Sequence, residues 1–470
     1  MRPLLVLLIL PAFARAQLPP IKLTVDAAPE ARPALRYELL PNARDRVPGN
    51  AVLHYLKAYA ARPSEEPDPA KRELQYDAVI RWEEAKPDEF PAKDVAEYLK
   101  KYKALFREVE YAARCEQCDW TSAPATGPDA LDTILGGVMS HRELARWLSL
   151  RFKLELAEGR TDDALRTIQT GLQLGRHVLE GPTMMQMLVG IAIDNLFFSR
   201  LATLLERPDA PNMYWALSTL PKSFLDPRPG LDGEDRFNEL FLPGLAELRK
   251  GPLSAERALE LALSAMNGFS RREDAGGLVD IAIRLGLITR SNAVQDEARK
   301  ELIARGRTAK AVTAMPAVQA VFLNSYERYR DLADDYRKWF LLGGPEAVAG
   351  IEKIGERVKK LKVEAKDDII VQVFLNVLPT MAKTFESLGR TERRIAQLRA
   401  LEAIRLHAAL AGQLPKELAD IKKVPVPNDP LTGRPFEYAI ADGGFTLTAP
   451  ALKGTGHLGQ TFEITLRAKK

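Results

Sequence analysis

Apolar residues recur at steps of three and four positions through most of the chain, a spacing that is typical of amphipathic helices. The clearest example spans residues 141–181, where the pattern continues on both sides of Gly159. Thr161 can cap the second half, and Asp162 and Asp163 lie in its first turn, where the helix dipole favours anions. The pattern predicts two antiparallel helices that are joined by a turn at the glycine.

The turn of this helix pair reads AEGRTDDAL, from Ala157 to Leu165. It resembles the turn between the two helices of tetratricopeptide-like repeats. Because the chain contains one convincing copy, irregular helix pairs are at least as well supported as a regular solenoid. We therefore predict a mainly α fold of irregular helix pairs that are tetratricopeptide-like in part.

A second pattern, in which apolar and polar residues alternate, predicts strands near both ends of the chain. At the N-terminal end it covers residues 21–26 and 33–41. These two stretches are separated by a loop that contains proline, so they would form a short β-pair. Asn50 follows them and is positioned to cap the first helix.

Three more alternating stretches lie at residues 435–440, 445–448 and 461–467. They predict a small C-terminal antiparallel β-meander, packed on the amphipathic helix that stops at Gly412. The apolar face of this helix carries Leu398, Leu401, Ile404, Ala408 and Ala411, and the residues off that face are Arg399, Glu402 and Arg405. Arg393 and Arg394 are likewise predicted to lie on a solvated face.

The connection between helix and meander follows a distinct motif. It reads G-x-L-P-x-x-L from Gly412 and then P-x-D-P-x-x-G-x-P-F-x-Y from Pro427 to Tyr438. This order resembles the globular part of the major pseudopilins of type II secretion. The resemblance implies the fold of residues 391–470. It does not imply polymerisation, because pseudopilins begin with an apolar helix, whereas this helix is internal and charged.

Some of those pseudopilins hold calcium in a C-terminal loop, but Asp429 and Asp442 do not supply a recognisable ligand set here. Over nearly its whole length the chain is also similar to a group of uncharacterised, exported and mostly helical bacterial proteins. The likeness rests on residues 33–51, on residues 204–221 and on the two ends. It implies no activity.

The first residues predict a cleavable signal peptide. A basic residue is followed by an apolar run from Leu4 to Leu10, and small residues at Ala14 and Ala16 precede Gln17. The apolar run is too short to span a bilayer, and no later stretch reaches the ~20 apolar residues that spanning needs. We expect a protein without a transmembrane anchor in the periplasm or the extracellular space.

These patterns divide the chain into five segments. They are a signal peptide at 1–16, a short β-pair with an N-terminal extension at 17–45, a helical domain at 46–345, a helical connector at 346–390, and a pseudopilin-like helix with a β-meander at 391–470. Composition fits a folded protein, with 46% hydrophobic and 28% charged residues. The formal net charge of +4 falls to +4 − 2 = +2 without Arg2 and Arg15, which gives no reason to expect nucleic acid as a partner.

No motif of catalytic, metal-binding or cofactor-binding chemistry stands out. The G-x-G-x-x-G match from Gly454 to Gly459 precedes an alternating strand pattern rather than a helix, so it does not fit a dinucleotide loop. Adjacent carboxylates such as Asp162 and Asp163 point in different directions on a helix and are typical of solvated faces. We assign no catalytic, cofactor or metal residues and expect no cofactor.

The chain has two cysteines, Cys115 and Cys118, in the sequence RCEQCDW. In an oxidising compartment such a pair can close a small disulfide, and free thiols are the alternative. A redox or metal role fits less well, because the preceding residues predict a helix and the five histidines are scattered.

The sequence favours a non-enzymatic helical scaffold or binding protein of the cell envelope, whose partner is another envelope protein. This expectation rests on the absence of recognisable catalytic motifs and on the use that helix pairs commonly have. The alternative is an exported hydrolase whose acidic catalytic residues come together from separate helices. The sequence leaves the oligomeric state open.

Overall fold

The structure is a computed structural model that describes residues 18–120, 129–222, 224–233, 244–270, 277–364, 375, 378–452 and 459–467. It is mostly helical with a small mixed β-sheet that contains the C-terminal strands, which confirms the predicted mainly α fold at this level. The predicted signal peptide, residues 1–16, lies outside the described residues.

Among the described residues, helices α1 to α15 span Ala51–Ala60, Pro69–Glu84, Ala92–Lys100, Lys103–Arg114, Asp129–Ala157, Thr161–Leu179, Met184–Leu205, Tyr214–Ser218, Leu245–Lys250, Ala255–Ser270, Gly277–Ala304, Ala309–Thr313, Ala317–Leu342, Gly344–Glu364 and Leu378–Ala411. Strands β1 to β6 span Ile21–Val25, Val47–Asn50, Cys115–Gln117, Glu437–Ala441, Gly444–Ala449 and Gln460–Leu466. The core is continuous from the first strand to the last.

Helices α5 and α6 form the helix pair that the sequence predicts. Gly159 adopts a φ of 75° between them, in the left-handed region where glycine is favoured. The backbone N–H of Arg160 then donates to the carbonyl of Glu155 over 2.8 Å. The prediction that Thr161 caps α6 is wrong, because the helix already includes Thr161 and Arg160 occupies the cap position without a side-chain hydrogen bond. Helix α7 packs against both helices of the pair.

Helix α7 is the one described helix that is long and apolar enough to cross a membrane by length and composition. Inside the protein, 61% of its most apolar stretch is buried, and Asp194 lies near its centre. The helix contacts α5, α6 and α15. It is therefore a central packing element of this fold.

The sheet has four strands in the order β1-β6-β5-β4. Strand β5 pairs antiparallel with β4 and with β6, and β1 pairs parallel with β6. The sheet is therefore mixed, because β1 adds a parallel strand beside the three C-terminal strands. The predicted N-terminal β-pair is wrong, because residues 33–41 form no strand.

The partner of β1 lies at the far end of the chain instead. In the parallel register Ile21 is opposite Phe462, and Leu23 is opposite Ile464. Leu23, Phe462 and Ile464 are all buried in the core. An isolated two-stranded ribbon would leave such side chains in water, so pairing with β6 is the more stable arrangement.

Strands β2 and β3 form a separate parallel pair that holds the start of α1 beside the two cysteines. Asn50 caps α1 as predicted, since its side-chain oxygen accepts from the N–H of Val52 over 3.1 Å. The same oxygen accepts from the backbone N–H of Asp119 over 3.0 Å. Asn50 thus joins the helix start to the segment that carries Cys118.

A buried ion pair explains the motif PNDPLTG, which spans residues 427–433. Arg393 on α15 donates from Nε and Nη2 to the two carboxylate oxygens of Asp429, over 3.0 and 2.7 Å. The first of these oxygens also accepts from the N–H of Leu431, and the backbone of Asp429 bonds to Gly433 and Arg434. The prediction that Arg393 lies on a solvated face is wrong, because the turn folds over the helix and covers it.

Two more residues that were predicted to lie off the apolar face are fully buried. Glu402 and Arg405 form an ion pair of 2.7 Å within α15, and both have an exposure of 0%. Neighbouring segments surround the helix on this side as well, and Arg405 donates to backbone carbonyls of Asp26 and Ala210. Helix α15 also continues without a break through residue 391, where the sequence analysis placed a segment boundary.

We expect Asp429→Ala to lower the free energy of unfolding by about 3–5 kcal/mol, because it leaves the Arg393 guanidinium buried without its counter-charge. The measurement is denaturant unfolding followed by circular dichroism. Asp88→Ala, at an exposed position in the loop after α2, is the control and should change stability by less than about 0.5 kcal/mol. Equal effects of the two substitutions would contradict a structural role for the ion pair.

Candidate functional site

The strongest candidate site is an open cleft of about 440 Å³ that helices α1, α2, α3 and α5 line. We call it the aromatic groove because five aromatic side chains line it. They are Tyr59 from α1, Tyr76 from α2, Tyr98 from α3, Tyr102 between α3 and α4, and Trp147 from α5. Tyr59, Tyr98, Tyr102 and Trp147 also pack against the core, whereas Tyr76 is exposed.

Three of these rings, Tyr98, Tyr102 and Trp147, form a continuous row. The ring centroids of Tyr102 and Trp147 are 4.6 Å apart, and those of Tyr98 and Tyr102 are 5.2 Å apart. Trp82 extends the row with an edge contact to Tyr98 at 5.3 Å. A hydrogen bond of 2.9 Å joins the hydroxyls of Tyr98 and Tyr102. Such contacts fix ring orientation, so the groove presents a rigid aromatic surface.

A neutral polar pair borders this surface. The hydroxyl of Tyr59 forms a hydrogen bond with Nδ1 of His141, whose ring packs on the edge of Trp120 at 4.7 Å. Burial lowers the pKa of His141 to about 4 and raises the pKa of Tyr59. At neutral pH both groups are uncharged, which makes the pair a poor proton-transfer system.

Cations lie over the rings of the groove. The Nζ of Lys101 is 4.5 Å from the ring centroid of Tyr98, and the guanidinium of Arg146 is 5.6 Å from that of Tyr76. Partial burial lowers the pKa of Lys101. Two other cations are neutralised by carboxylates, in the ion pairs Arg62–Glu143 at 2.6 Å and Arg72–Glu65 at 3.0 Å.

One wall of the groove is a loop of the chain itself. The loop between α1 and α2 reads ARPSEEPDP over residues 61–69, and its Pro63, Ser64, Glu65 and Glu66 line the cleft. Between residues 63 and 66 the backbone has no regular secondary structure. One wall of the aromatic groove is therefore an irregular, proline-containing loop of the chain itself.

A larger cavity of about 770 Å³ lies between the N-terminal loop and helices α4, α5 and α6. It gathers carboxylates from separate elements, as the hydrolase alternative requires, namely Glu38, Asp45, Glu110 and Asp162. Glu110 is paired with Arg151 at 2.5 Å, and Glu38 accepts from Asn42 at 2.8 Å. None of the four is hydrogen-bonded to another carboxyl or to a histidine within the described part of the chain.

Asp194 on α7 is a carboxyl group that burial affects strongly. Its side chain has an exposure of 0%, and neither carboxylate oxygen has a hydrogen-bond partner among the described residues. Burial raises its pKa well above the ordinary value, against a smaller opposite effect of Arg176. Asp194 lines neither the aromatic groove nor the larger cavity, so it does not serve as a catalytic acid in either.

Cys115 and Cys118 are both free thiols in the structure, and both line a small cavity of about 70 Å³. The Sγ of Cys115 donates to the carbonyl of Tyr111 over 3.5 Å, and that of Cys118 to the carbonyl of His177 over 3.9 Å. Burial raises the pKa of both thiols, which disfavours the reactive thiolate. The disulfide between them stays a prediction.

Within the described ranges no group of three His, Cys, Asp or Glu residues is arranged to hold a metal ion. The sequence patterns do not indicate the aromatic groove. The available signal was the concentration of tyrosine and tryptophan between residues 55 and 147.

Comparisons with protein-family models, with curated proteins and with solved structures find no match for this chain.

We expect the two thiols to react with a thiol reagent far more slowly in the native protein than in denaturant, because burial keeps them protonated. The measurement is the rate of thiol labelling with and without urea, after reduction. Cys118→Ser separates the two positions. An exported sample whose thiols label only after reduction would establish the disulfide, and fast labelling of the native reduced protein would contradict the burial argument.

We expect Asp194→Asn to raise stability at neutral pH and to have little effect near pH 4. The folded-state pKa of Asp194 lies above its unfolded value, so the wild type loses stability as pH rises above the unfolded pKa of about 3.9. Asparagine removes this loss. Melting temperatures of both proteins between pH 4 and pH 8 measure it.

Asp334→Asn, at an exposed position on α13, is the control and should leave the pH profile unchanged. A constant difference between Asp194→Asn and wild type at every pH would show that the Asp194 carboxyl is not protonated in the folded state.

Proposed function

We propose that this protein is a non-enzymatic binding protein of the export compartment that holds an extended, proline-containing segment of another envelope protein in the aromatic groove. The observation that carries the proposal is the continuous row of tyrosine and tryptophan rings along an open cleft. Aromatic-lined grooves are the common recognition surface for polyproline II segments, which are extended before binding and so lose little entropy.

The groove also offers donors for such a segment. A polyproline II chain has no internal hydrogen bonds, so its carbonyl groups are free to accept. The indole N–H of Trp147 and the hydroxyl of Tyr76 have no hydrogen-bond partner among the described residues. Tyr76 has an exposed fraction of 53%, and Trp147 is half-buried. Rings for the prolines and donors for the carbonyls thus occur in one cleft.

The proposal also includes the export compartment and the resemblances to tetratricopeptide repeats and to pseudopilins. Export rests on the signal-peptide pattern at residues 1–16. The tetratricopeptide-like character rests on the α5–α6 pair with its turn at Gly159, and the pseudopilin-like character rests on the residues from Gly412 to Tyr438. Helix pairs with an open lateral groove suit the binding of a partner chain.

The test is fluorescence anisotropy with a labelled decaproline peptide, which forms polyproline II in solution. We expect saturable binding, no binding of a glycine–serine peptide of equal length, and weaker or no binding of a chitin tetrasaccharide. Tighter binding of the saccharide would favour a glycan-binding function, and the absence of decaproline binding would overturn the proposal.

We expect Tyr76→Ala to weaken decaproline binding about tenfold, or ~1.4 kcal/mol, because it removes one wall of the groove. Tyr76 is exposed, so the substitution should leave the melting temperature nearly unchanged. Tyr111→Ala is the matched control, since Tyr111 is a part-exposed tyrosine outside the groove. Equal affinities of both variants and wild type would place the peptide elsewhere.

A further inference from the structure

The aromatic groove contains two cations that its own acidic residues leave without ion pairs. Lys101 and Arg146 line the cleft and contact tyrosine rings, yet neither forms an ion pair with a described residue. The other two arginines of the groove, Arg62 and Arg72, are paired with Glu143 and Glu65. Contact with a ring attracts a cation without neutralising it, so both groups remain able to bind an anion.

The loop that forms one wall of the groove places carboxylates next to prolines. Residues 62–69 read RPSEEPDP, with three acidic residues between three prolines. Glu65 is bound to Arg72 at 3.0 Å, and Glu66 is the acidic residue whose charge raises the pKa of Lys101, against the larger effect of burial. The side chain of Glu66 also accepts from the backbone N–H of Asp68 over 3.3 Å. One wall of the groove is thus itself acidic and proline-containing, and its carboxylates lie beside cations of the groove.

We propose that the partner segment is acidic as well as proline-containing, and that Lys101 and Arg146 are the residues that select its carboxylates. This inference rests on the proposed function and names the class of peptide that the groove takes. Lysine supplies a point charge on a flexible stem, and arginine a planar fork that can bind a carboxylate with two hydrogen bonds. A neutral proline-rich segment would use the rings alone and leave both cations unpaired.

The experiment compares two labelled peptides, PSEEPDPPSEEPDP and its neutral counterpart PSQQPNPPSQQPNP, on the full-length protein. We expect the acidic peptide to bind about tenfold more tightly at low salt. The advantage should shrink strongly at about 1 M salt, where charges are screened within about 3 Å.

Lys101→Met and Arg146→Gln keep most of each side chain and remove its charge. Each should weaken the acidic peptide severalfold and change the affinity for the neutral peptide by a much smaller factor. Lys103→Met and Arg142→Gln, at exposed positions outside the groove, are the matched controls and should change neither affinity. Melting temperatures of the four variants verify that all of them fold.

The outcomes separate this inference from the proposed function. If both peptides bind equally, or if the Lys101 and Arg146 variants bind as the controls do, the acidic selectivity is wrong and peptide binding stands. If neither peptide nor decaproline binds, the proposed function fails and the inference fails with it. Tighter binding of an oligogalacturonate than of the acidic peptide would show that the anion belongs to a glycan, which would overturn the peptide class.

Discussion

The architecture depends on the hydrogen bonds that the fully buried guanidinium of Arg405 donates. It donates to the carbonyl of Asp26 over 2.7 Å, to that of Ala210 over 2.9 Å and to the carboxylate of Glu402 over 2.7 Å. The second oxygen of Glu402 accepts from the N–H of Met213 over 2.6 Å. Two segments that are far apart in sequence therefore satisfy backbone groups at one point, against the Arg405 and Glu402 side chains of α15. A buried carbonyl without a partner costs roughly 1–3 kcal/mol, so removing the guanidinium would affect both segments together.

Contacts of helix α15 and the pairing of β1 with β6 also join the two ends of the chain. Strand β1 leads into the carbonyl that Arg405 binds, and it completes the sheet beside β6. Gln397, one helical turn before Leu401, donates to carbonyls of β5 and β6 over 3.2 and 3.0 Å. Helix α15 is thus joined to the N-terminal strand, to the segment before α8 and to the C-terminal strands. The PNDPLTG turn adds a fourth contact through Arg393, which gives that motif a structural role.

Local patterns predicted much of this fold, and long-range pairings explain the rest. The helix pair around Gly159 and the cap at Asn50 depend on residues a few positions apart, so the sequence indicates them directly. The pairing of Ile21 with Phe462 has no local signal, because a strand pattern does not identify its partner. Arg405 and Glu402 look solvent-facing on a helical projection. Only the segments that cover the second side of α15 show that they are buried.

The sequence patterns do not indicate the aromatic groove, for a related reason. Its tyrosines and its tryptophan come from four helices and a connection, and on each element an isolated ring is indistinguishable from a core residue. Once assembled, the groove consists entirely of residues between positions 59 and 147, whereas the Arg405 contacts join residues 26, 210 and 402. The candidate binding surface is thus built from one part of the chain and stands apart from the contacts that join its ends. A ligand that fills the groove would replace water on a preformed surface, because the ring contacts and the Tyr59–His141 hydrogen bond already fix the side chains that it would meet.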